Sequence, residues 1–399
     1  MNKLNIKHTL FPFQERDMNK VVEEFENHGR ICLVASTGYG KTYSFCTIAK
    51  WYKHNYNKKV LILCHRVELV EQTIKTLINI GLTAEKVTPD KKKYHHTADV
   101  YVAMEMTVYN KQKKNPRFLN NVGLIIIDEC HIQFGVKHLE LIKDEKVLGF
   151  TATPIINKRE TYYKCEICEE EYNENNICHN HETIEWGRPI TMSRYYDTVI
   201  TGTNISELID YGQIVQEINF SVDVDLSNLK TDASGDYTTK SLNETFNNDK
   251  VIHDVVANYE NIALGKRTMV FTSSTANNVK VLESFLEKGY NARLFDSVND
   301  SDLSRKEVVK WFESNSDAIL INASIFTTGF DSTDVECIIL NRATTSLSLY
   351  IQMVGRGARS SKKIYKDSFI VIDLGGNIKR FGTWSDPIVT GKQIGRAHV

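Results

Sequence analysis

The stretch that decides the fold runs over residues 31–42 and reads Ile-Cys-Leu-Val-Ala-Ser-Thr-Gly-Tyr-Gly-Lys-Thr. It begins as a short apolar run typical of a buried strand and continues with the spacing of a phosphate-binding loop, with alanine in place of the first glycine. Gly38 and Gly40 allow backbone N–H groups to turn toward phosphate, Lys41 reaches the β- and γ-phosphate oxygens, and Thr42 offers its hydroxyl to Mg²⁺. A helical pattern follows the loop, so we predict ATP and Mg²⁺ as ligands.

A second motif, residues 124–131, reads Leu-Ile-Ile-Ile-Asp-Glu-Cys-His and ends an apolar run in two adjacent carboxylates. We predict that Asp128 holds Mg²⁺ through water and that Glu129 polarises the attacking water. Solvated acids at a strand end are the simpler alternative. Cys130 and His131 have no cysteine or histidine partner nearby in sequence, which argues against a metal site there.

A third motif, residues 350–359, contains Gln352, Arg356 and Arg359. Their spacing predicts one face of a helix, at positions i, i+4 and i+7. Two arginines presented together suit the charge of a phosphoryl-transfer transition state, so we assign all three residues to catalysis. A solvated basic helix face is the alternative.

Short apolar runs alternate with helical patterns in two halves of the chain, which indicates an α/β fold with parallel sheets. The predicted strands are residues 31–35, 59–64, 99–103, 123–128 and 147–152, then 268–272, 318–322, 336–340 and 368–373. Helices are predicted near residues 68–80, 276–288 and 302–314, and an irregular connection at 225–250.

Length and composition limit the number of domains and exclude some classes of protein, but they do not identify the function. The chain has 399 residues, with 49 Lys plus Arg against 50 Asp plus Glu, a formal charge of −1. This length suggests two or three domains, and the balance of charge excludes a histone-like basic wrapper. No apolar run approaches the ~18 residues that span a bilayer, and the N-terminus has no signal-peptide core. We therefore expect no membrane partner and a cytoplasmic location, in a bacterial cell or a phage-infected host.

The polar stretch between the two halves carries the spacing C-x₂-C-x₉-C-x₂-H, formed by Cys165, Cys168, Cys178 and His181. Two ligand pairs at knuckle spacing predict a tetrahedral Zn²⁺ site with a structural role, with His179 as an alternate to His181. A polar loop with unrelated cysteines is the alternative.

The three motifs, in this order, resemble those of superfamily 2 helicases over roughly residues 8–373, most of all the DEAH-like group with XPB-type and phage branch-remodelling helicases. The resemblance implies two tandem RecA-like domains with ATP in the cleft between them. It places Gln14 at the adenine, and Gly329 and Asp331 at the nucleotide, with Asp331 on the ribose side. It also implies nucleic-acid contacts at Arg66, Thr107, Thr272, Ser273, Ser324 and Thr327.

The resemblance implies an ATP-dependent DNA helicase or translocase, serving replication, recombination or repair and working with proteins of those processes. The box reads Asp-Glu-Cys-His rather than Asp-Glu-Ala-Asp, which favours DNA over RNA. An RNA helicase, the motor subunit of a restriction system and a nucleic-acid clamp switched by ATP remain open alternatives. Lysine runs at 91–93 and 111–114 fit a phosphate track or a solvated face equally well.

These observations give a predicted domain organisation. RecA-like domain 1 covers 1–160, a zinc-knuckle insert covers 161–186, a return to the edge of domain 1 and a connection cover 187–250, and RecA-like domain 2 covers 251–385. Residues 393–399, Gln-Ile-Gly-Arg-Ala-His-Val, resemble the translation of a sequencing-adapter oligonucleotide, so we expect a non-native tail.

Overall fold

The computed structural model describes the chain in segments. They are residues 10–65, 67–90, 97–115, 121–132, 142, 145–165, 167–168, 171–173, 178, 181, 183–232, 235–295, 302–322, 334–361 and 364–386. Several predicted features lie outside the described residues: Arg66, residues 91–93, His179, Ser324, Thr327, Gly329, Asp331 and the tail 393–399.

The strands, in chain order, are β1 (Arg30–Val34), β2 (Lys59–Cys64), β3 (Ala84–Val87), β4 (Val100–Met104), β5 (Val122–Asp128), β6 (Lys146–Thr151), β7 (Ile155–Cys165), β8 (Glu171–Asn173), β9 (Thr183–Thr191), β10 (Thr198–Thr201), β11 (Gln216–Ser221), β12 (Thr268–Thr272), β13 (Ala292–Leu294), β14 (Ile319–Asn322), β15 (Cys337–Asn341) and β16 (Ser368–Asp373). The helices are α1 (Pro12–Glu24), α2 (Lys41–Tyr56), α3 (Val67–Asn79), α4 (Glu105–Lys114), α5 (Ile205–Asp210), α6 (Thr239–Phe246), α7 (Asp249–Ile262), α8 (Thr275–Glu287), α9 (Asp302–Ser314), α10 (Leu347–Val354) and α11 (Asn377–Phe381).

The first sheet contains, within the described segments, seven parallel strands in the order β10-β1-β6-β5-β2-β4-β3. Its central strands are apolar on both faces because helices α1, α2 and α3 cover one face, while the other packs on Ile190, Met192 and Tyr196. The phosphate loop follows β1 and Asp128 ends β5, so both motifs lie at the carboxyl edge of the same sheet.

The second sheet contains six parallel strands in the part of the chain that the structure describes, in the order β11-β16-β15-β12-β14-β13. Helices α6, α7 and α8 bury one face, and α10 packs on the other through Tyr350, Ile351 and Val354. That second face belongs to the same apolar cluster as the helical side of the first sheet. The predicted α/β fold with two parallel sheets is therefore confirmed.

A three-stranded antiparallel sheet, β8-β7-β9, leaves the first sheet directly after β6 and carries the predicted metal ligands. Segment 187–250 contributes to both parallel sheets, because β10 pairs with β1 and β11 pairs with β16. The expectation of an irregular connection at 225–250 is wrong over α6. Thr238 caps this helix by accepting a hydrogen bond from the Ser241 N–H, and Leu242 and Phe246 are buried.

Among the described residues, none of the helices is both long enough and apolar enough to cross a bilayer.

Candidate ATP site between two parallel-sheet domains

The phosphate loop requires glycine at two positions, because the backbone there has a positive φ and a side chain would collide with neighbouring atoms. Gly38 and Gly40 have φ values of +87° and +81°, in the left-handed region that side chains disfavour. A Cβ on Gly38 would lie 2.3 Å from Ile214 Cγ2, and one on Gly40 would lie 2.7 Å from Gln14 Nε2. Helix α2 begins at Lys41, so its first N–H groups face the loop, the usual arrangement for binding phosphate.

Gln14 ties the first helix to the phosphate loop. Its Nε2 donates to the Tyr39 carbonyl at 2.8 Å, and its Oε1 accepts from the Phe11 N–H at 3.1 Å. The Phe11 ring stacks on Phe13 with 5.5 Å between centroids and stays 46% exposed. An exposed aromatic ring beside a buried amide suits the binding of a purine base. Adenine binding by Gln14 therefore stays a prediction that is compatible with its surroundings.

Lys41 and Glu129 form an ion pair across the two motifs, with 2.5 Å between Nζ and Oε1. Glu129 follows β5 with a φ of +50°, a strained conformation for a residue with a side chain and typical of functional turns. Burial opposes ionisation of Glu129, but the Lys41 charge outweighs it and lowers the pKa of this carboxyl to about 2. Glu129 is therefore a carboxylate at neutral pH.

Asp128 lies beside this pair and is 5% exposed. One carboxyl oxygen accepts the Glu129 N–H at 3.1 Å. Burial, together with the charge of Glu129, raises the pKa of Asp128 to about 7. A buried carboxyl within electrostatic range of the phosphate-loop Lys41 offers the oxygen ligands that Mg²⁺ prefers. The site thus fits the ATP and Mg²⁺ that the sequence predicts.

His131 connects this site to the second domain, which the sequence did not indicate. Its Nδ1 lies 2.9 Å from Thr151 Oγ1 and 3.5 Å from Glu129 Oε2, and its Nε2 lies 2.9 Å from Ser348 Oγ. Gln352 Nε2 donates to the same Ser348 hydroxyl at 3.4 Å. Thr151 belongs to β6 and Ser348 to α10, so the imidazole bridges the domains.

The predicted helix face for the arginines is wrong in part. Helix α10 ends at Val354, because the N–H groups of Arg356 and Gly357 bond to carbonyls three residues back and tighten the chain into a turn. Gly355 allows this turn to pack closely against the first domain, since a Cβ there would lie 2.7 Å from Thr37 Cγ2 in the phosphate loop. Arg359 lies beyond the turn, where it forms an isolated bridge with Ile214.

Arg356 nevertheless stands close enough to Glu129 for electrostatic interaction. Burial lowers the pKa of Arg356, and the Glu129 carboxylate opposes that shift. Burial alone accounts for the lowered pKa of Arg359. Gln352 is half-buried on α10, on the His131 side of the cleft. The structure therefore brings Lys41, Asp128, Glu129 and Arg356 near one another, and Gln352 is linked to them through Ser348 and His131.

Three of the predicted nucleic-acid residues, Thr107, Thr272 and Ser273, fall within the described residues. Thr107 is half-buried on α4, and Ser273 is half-buried directly after β12. Thr272 is buried and its hydroxyl donates to Asn278 Oδ1, so its side chain is engaged within the domain.

A buried acid that the sequence did not single out begins α4. Glu105 is 2% exposed, and both carboxyl oxygens are buried without a hydrogen-bond partner in the described part of the chain. Burial, assisted by the Asp128 charge, raises the pKa of Glu105 to about 8.

This acid predicts a measurable pH dependence of stability. The folded-state pKa lies above the ordinary value of 4.5, so the folded protein holds the proton more tightly. The contribution of Glu105 to stability should be full below pH ~4.5 and should be lost as pH rises through ~8, by on the order of a few kcal/mol. Glu105→Gln should flatten this decline in a thermal melting series from pH 6 to 9. Glu244→Gln, at an exposed site on α6, should leave the decline unchanged, and equal slopes for all three proteins would contradict the assignment.

The four predicted metal ligands converge at the end of the antiparallel sheet. The ligand atoms of Cys165, Cys168, Cys178 and His181 all lie within 4.8 Å of one another. Measured separations are 4.0 Å between the Cys168 and Cys178 sulfurs, and 3.2 to 3.7 Å from His181 Nδ1 to the three sulfurs. Tetrahedral zinc with bonds of ~2.3 Å to sulfur and ~2.0 Å to nitrogen requires separations of about 3.5–3.8 Å. The donor set and its spacing therefore fit Zn²⁺.

Comparison with known proteins places these features in a family. Residues 7–156 match the family model "Type III restriction enzyme, res subunit", and residues 249–361 match "Helicase conserved C-terminal domain". The chain is 27% identical over 384 residues to a Saccharomyces cerevisiae protein named as the ATP-dependent helicase IRC3, covering 91% of this chain and 50% of that protein. It is 21% identical over 398 residues to the EcoAI type I restriction endonuclease subunit of Escherichia coli, covering 91% and 45%.

Solved structures agree on the fold. A fragment described as an HsdR subunit of a type I restriction enzyme from Vibrio vulnificus has a TM-score of 0.68 at 18% identity, covering 98% of this chain and 69% of that one. The type ISP restriction-modification enzyme LlaBIII bound to DNA has a TM-score of 0.63 at 17% identity, covering 98% and 29%.

The chain spans 50% of the S. cerevisiae relative and 60% of a Schizosaccharomyces pombe relative that is 25% identical over 404 residues, with 96% of this chain covered. Both halves of a helicase match in order, one on each parallel sheet, and the phosphate loop and the acidic pair lie within the first match. The predicted family is confirmed: the chain belongs to the superfamily 2 helicases.

Proposed function

We propose that the chain is a nucleic-acid-dependent ATPase that uses hydrolysis to translocate on DNA or to unwind it. The observation that carries this proposal is the contact between Gly355 and Thr37, which brings the arginine segment of the second domain against the phosphate loop of the first. An ATP site built from both domains changes shape when the γ-phosphate is lost, and that change is what a translocase needs.

The residues divide the chemistry between them. ATP with Mg²⁺ supplies the phosphoryl group and the charge that neutralises it. Lys41 exchanges Glu129 for phosphate oxygens when ATP binds, and this frees the Glu129 carboxylate to orient water. Asp128 and Thr42 would hold the cation. Arg356 offers positive charge from the second domain, where the transition state needs it most.

DNA is favoured over RNA as the substrate. The Asp-Glu-Cys-His box departs from the Asp-Glu-Ala-Asp box of the main RNA helicase group, and several relatives carry restriction-enzyme names. The similarity to the EcoAI subunit also supports a second candidate, the motor subunit of a restriction system with a partner nuclease. In the first candidate, replication or repair proteins are the partners. A cytoplasmic location remains a prediction, and the S. pombe relative is named as mitochondrial.

Steady-state ATPase measurements with single-stranded, forked and duplex DNA, and with matched RNA, test this proposal. We expect DNA to raise kcat more than RNA does, and Lys41→Ala to abolish turnover with every substrate. If only RNA stimulated the ATPase, the proposed substrate would be RNA and not DNA. Binding of ATP and nucleic acid without multiple turnovers would instead identify a clamp.

We further propose that Cys165, Cys168, Cys178 and His181 hold a structural Zn²⁺. A polar insert this short buries too little apolar surface to order itself, and a metal supplies the missing free energy. Four ligands complete the tetrahedron without an open position, which is typical of structural rather than catalytic zinc.

Protein purified without chelator should contain about one zinc per chain by elemental analysis, as four ligands hold one ion. Cys168→Ser should lose the metal and the order of the antiparallel sheet, while basal ATPase largely survives because the ATP site uses none of these residues. Cys337→Ala, which removes a buried thiol from β15, is the control and should keep its zinc. If elemental analysis found no zinc in the wild-type protein, the proposed site would be refuted.

A further inference from the structure

We propose that Ser348 is a positioning residue of the ATPase: its bond to His131 fixes α10, and the arginine segment after it, against the acidic pair of the first domain. The inference rests on the ATPase function proposed above. It concerns a hydroxyl that precedes the predicted motif at residues 350–359 and that, among the described residues, pairs with His131 and Gln352.

The hydrogen-bond pattern around Thr151 sets the direction of the whole chain of bonds. Thr151 Oγ1 donates its one proton to the Thr153 carbonyl at 2.7 Å and accepts the Thr153 N–H at 3.0 Å. Its contact with His131 Nδ1 at 2.9 Å must therefore be one in which the imidazole donates. Nδ1 carries the proton, and the neutral ring leaves Nε2 as an acceptor.

Ser348 meets that acceptor from the second domain. Its Oγ lies 2.9 Å from His131 Nε2 and must donate there, and its lone pair accepts from Gln352 Nε2 at 3.4 Å. Ser348 is 8% exposed and His131 also 8%, so water competes little for either group. Burial keeps the imidazole neutral by lowering the pKa of His131, as this pattern of bonds requires.

The position of Ser348 in α10 explains how its bond to His131 can restrain the arginine segment. Ser348 is the second residue of α10, Gln352 follows one turn later, and the turn with Gly355 and Arg356 ends the same helix. A bond at the start of this short helix therefore restrains Arg356 relative to Glu129. Misplacing a charge that is needed in the transition state lowers kcat more than it weakens ATP binding.

Ser348→Ala tests the inference directly. We expect the DNA-stimulated kcat to fall about three- to tenfold, as for loss of one net hydrogen bond, with the KM for ATP changed by less than about twofold. Ser348→Thr retains the hydroxyl and should restore most of the rate. Ser314→Ala, at an exposed serine ending α9, is the matched control and should behave as wild type.

A double-mutant cycle and a spectroscopic readout separate positioning from general destabilisation. Ser348→Ala combined with His131→Ala should cost no more than His131→Ala alone, because both remove the same bond. The ¹⁵N spectrum should show His131 protonated at Nδ1, with the Nε2 resonance shifted in Ser348→Ala. The resonance is assigned by its loss in His131→Ala.

Two failures are distinguishable. A wild-type protein that no nucleic acid stimulates would refute the proposed function, and the basal kcat and the Nε2 resonance would still test Ser348. A Ser348→Ala protein with wild-type kcat and an unshifted Nε2 resonance would overturn the inference. So would additive losses in the cycle, or a His131 ring protonated at Nε2.

Discussion

Glu129→Gln should bind ATP about as well as the wild type and hydrolyse it about 10²- to 10⁴-fold more slowly, the range expected for loss of a general base. The amide keeps the size of the side chain but cannot accept a proton from water. In the wild type, Lys41 must leave a carboxylate 2.5 Å away before it reaches phosphate. The variant weakens that competing pair, so ATP affinity should hold or rise.

Nucleotide binding by fluorescence titration and single-turnover hydrolysis measure the two effects separately. Glu283→Gln, which neutralises an exposed carboxylate on α8, is the control. Hydrolysis by Glu129→Gln at the wild-type rate would place the water-activating group elsewhere in the cleft.

Arg356→Ala should lower kcat by ~10³-fold or more if the guanidinium stabilises the transferring phosphoryl group. Arg356 is buried, and its guanidinium interacts electrostatically with the Glu129 carboxylate. ATP affinity should change less, because this charge is most needed in the transition state.

Steady-state kinetics and DNA-binding titrations should be run side by side for Arg356→Ala. Arg293→Ala is the control, since that guanidinium lies over the Trp311 ring on the second domain, 4.7 Å from its centroid. An unchanged kcat with weaker DNA binding would reassign Arg356 to the nucleic-acid track.

Central strands were predictable because burial on both faces produces an unbroken apolar run. The predicted ranges for β2, β12 and β16 coincide with the observed ones, at 59–64, 268–272 and 368–373. The strands β3, β10, β11 and β13 were not predicted. They lie at sheet edges, where partial exposure removes the continuous apolar signal.

The site was predictable where a motif is local in sequence and not where it depends on long-range contacts. Lys41 and Glu129 were singled out from their own motifs, and the structure brings them together. The role of His131 depends on Thr151 and on Ser348, which is 217 residues away, so no local pattern reports it. Glu105 was missed because an isolated acid at the end of an apolar strand looks like an ordinary solvated helix start.

Ile214, in the segment between β10 and β11, packs on Gly38 of the phosphate loop, and we expect this packing to affect nucleotide exchange. Ile214 is 1% exposed, and the next residue, Val215, donates its N–H to the Ala358 carbonyl of the second domain at 2.7 Å. Opening the cleft far enough to separate Ile214 from the phosphate loop exposes this side chain, at a cost of about 2 kcal/mol. We therefore expect the size of the Ile214 side chain to influence the affinity for ADP. Trimming that side chain would speed the escape of ADP while leaving the phosphate chemistry intact.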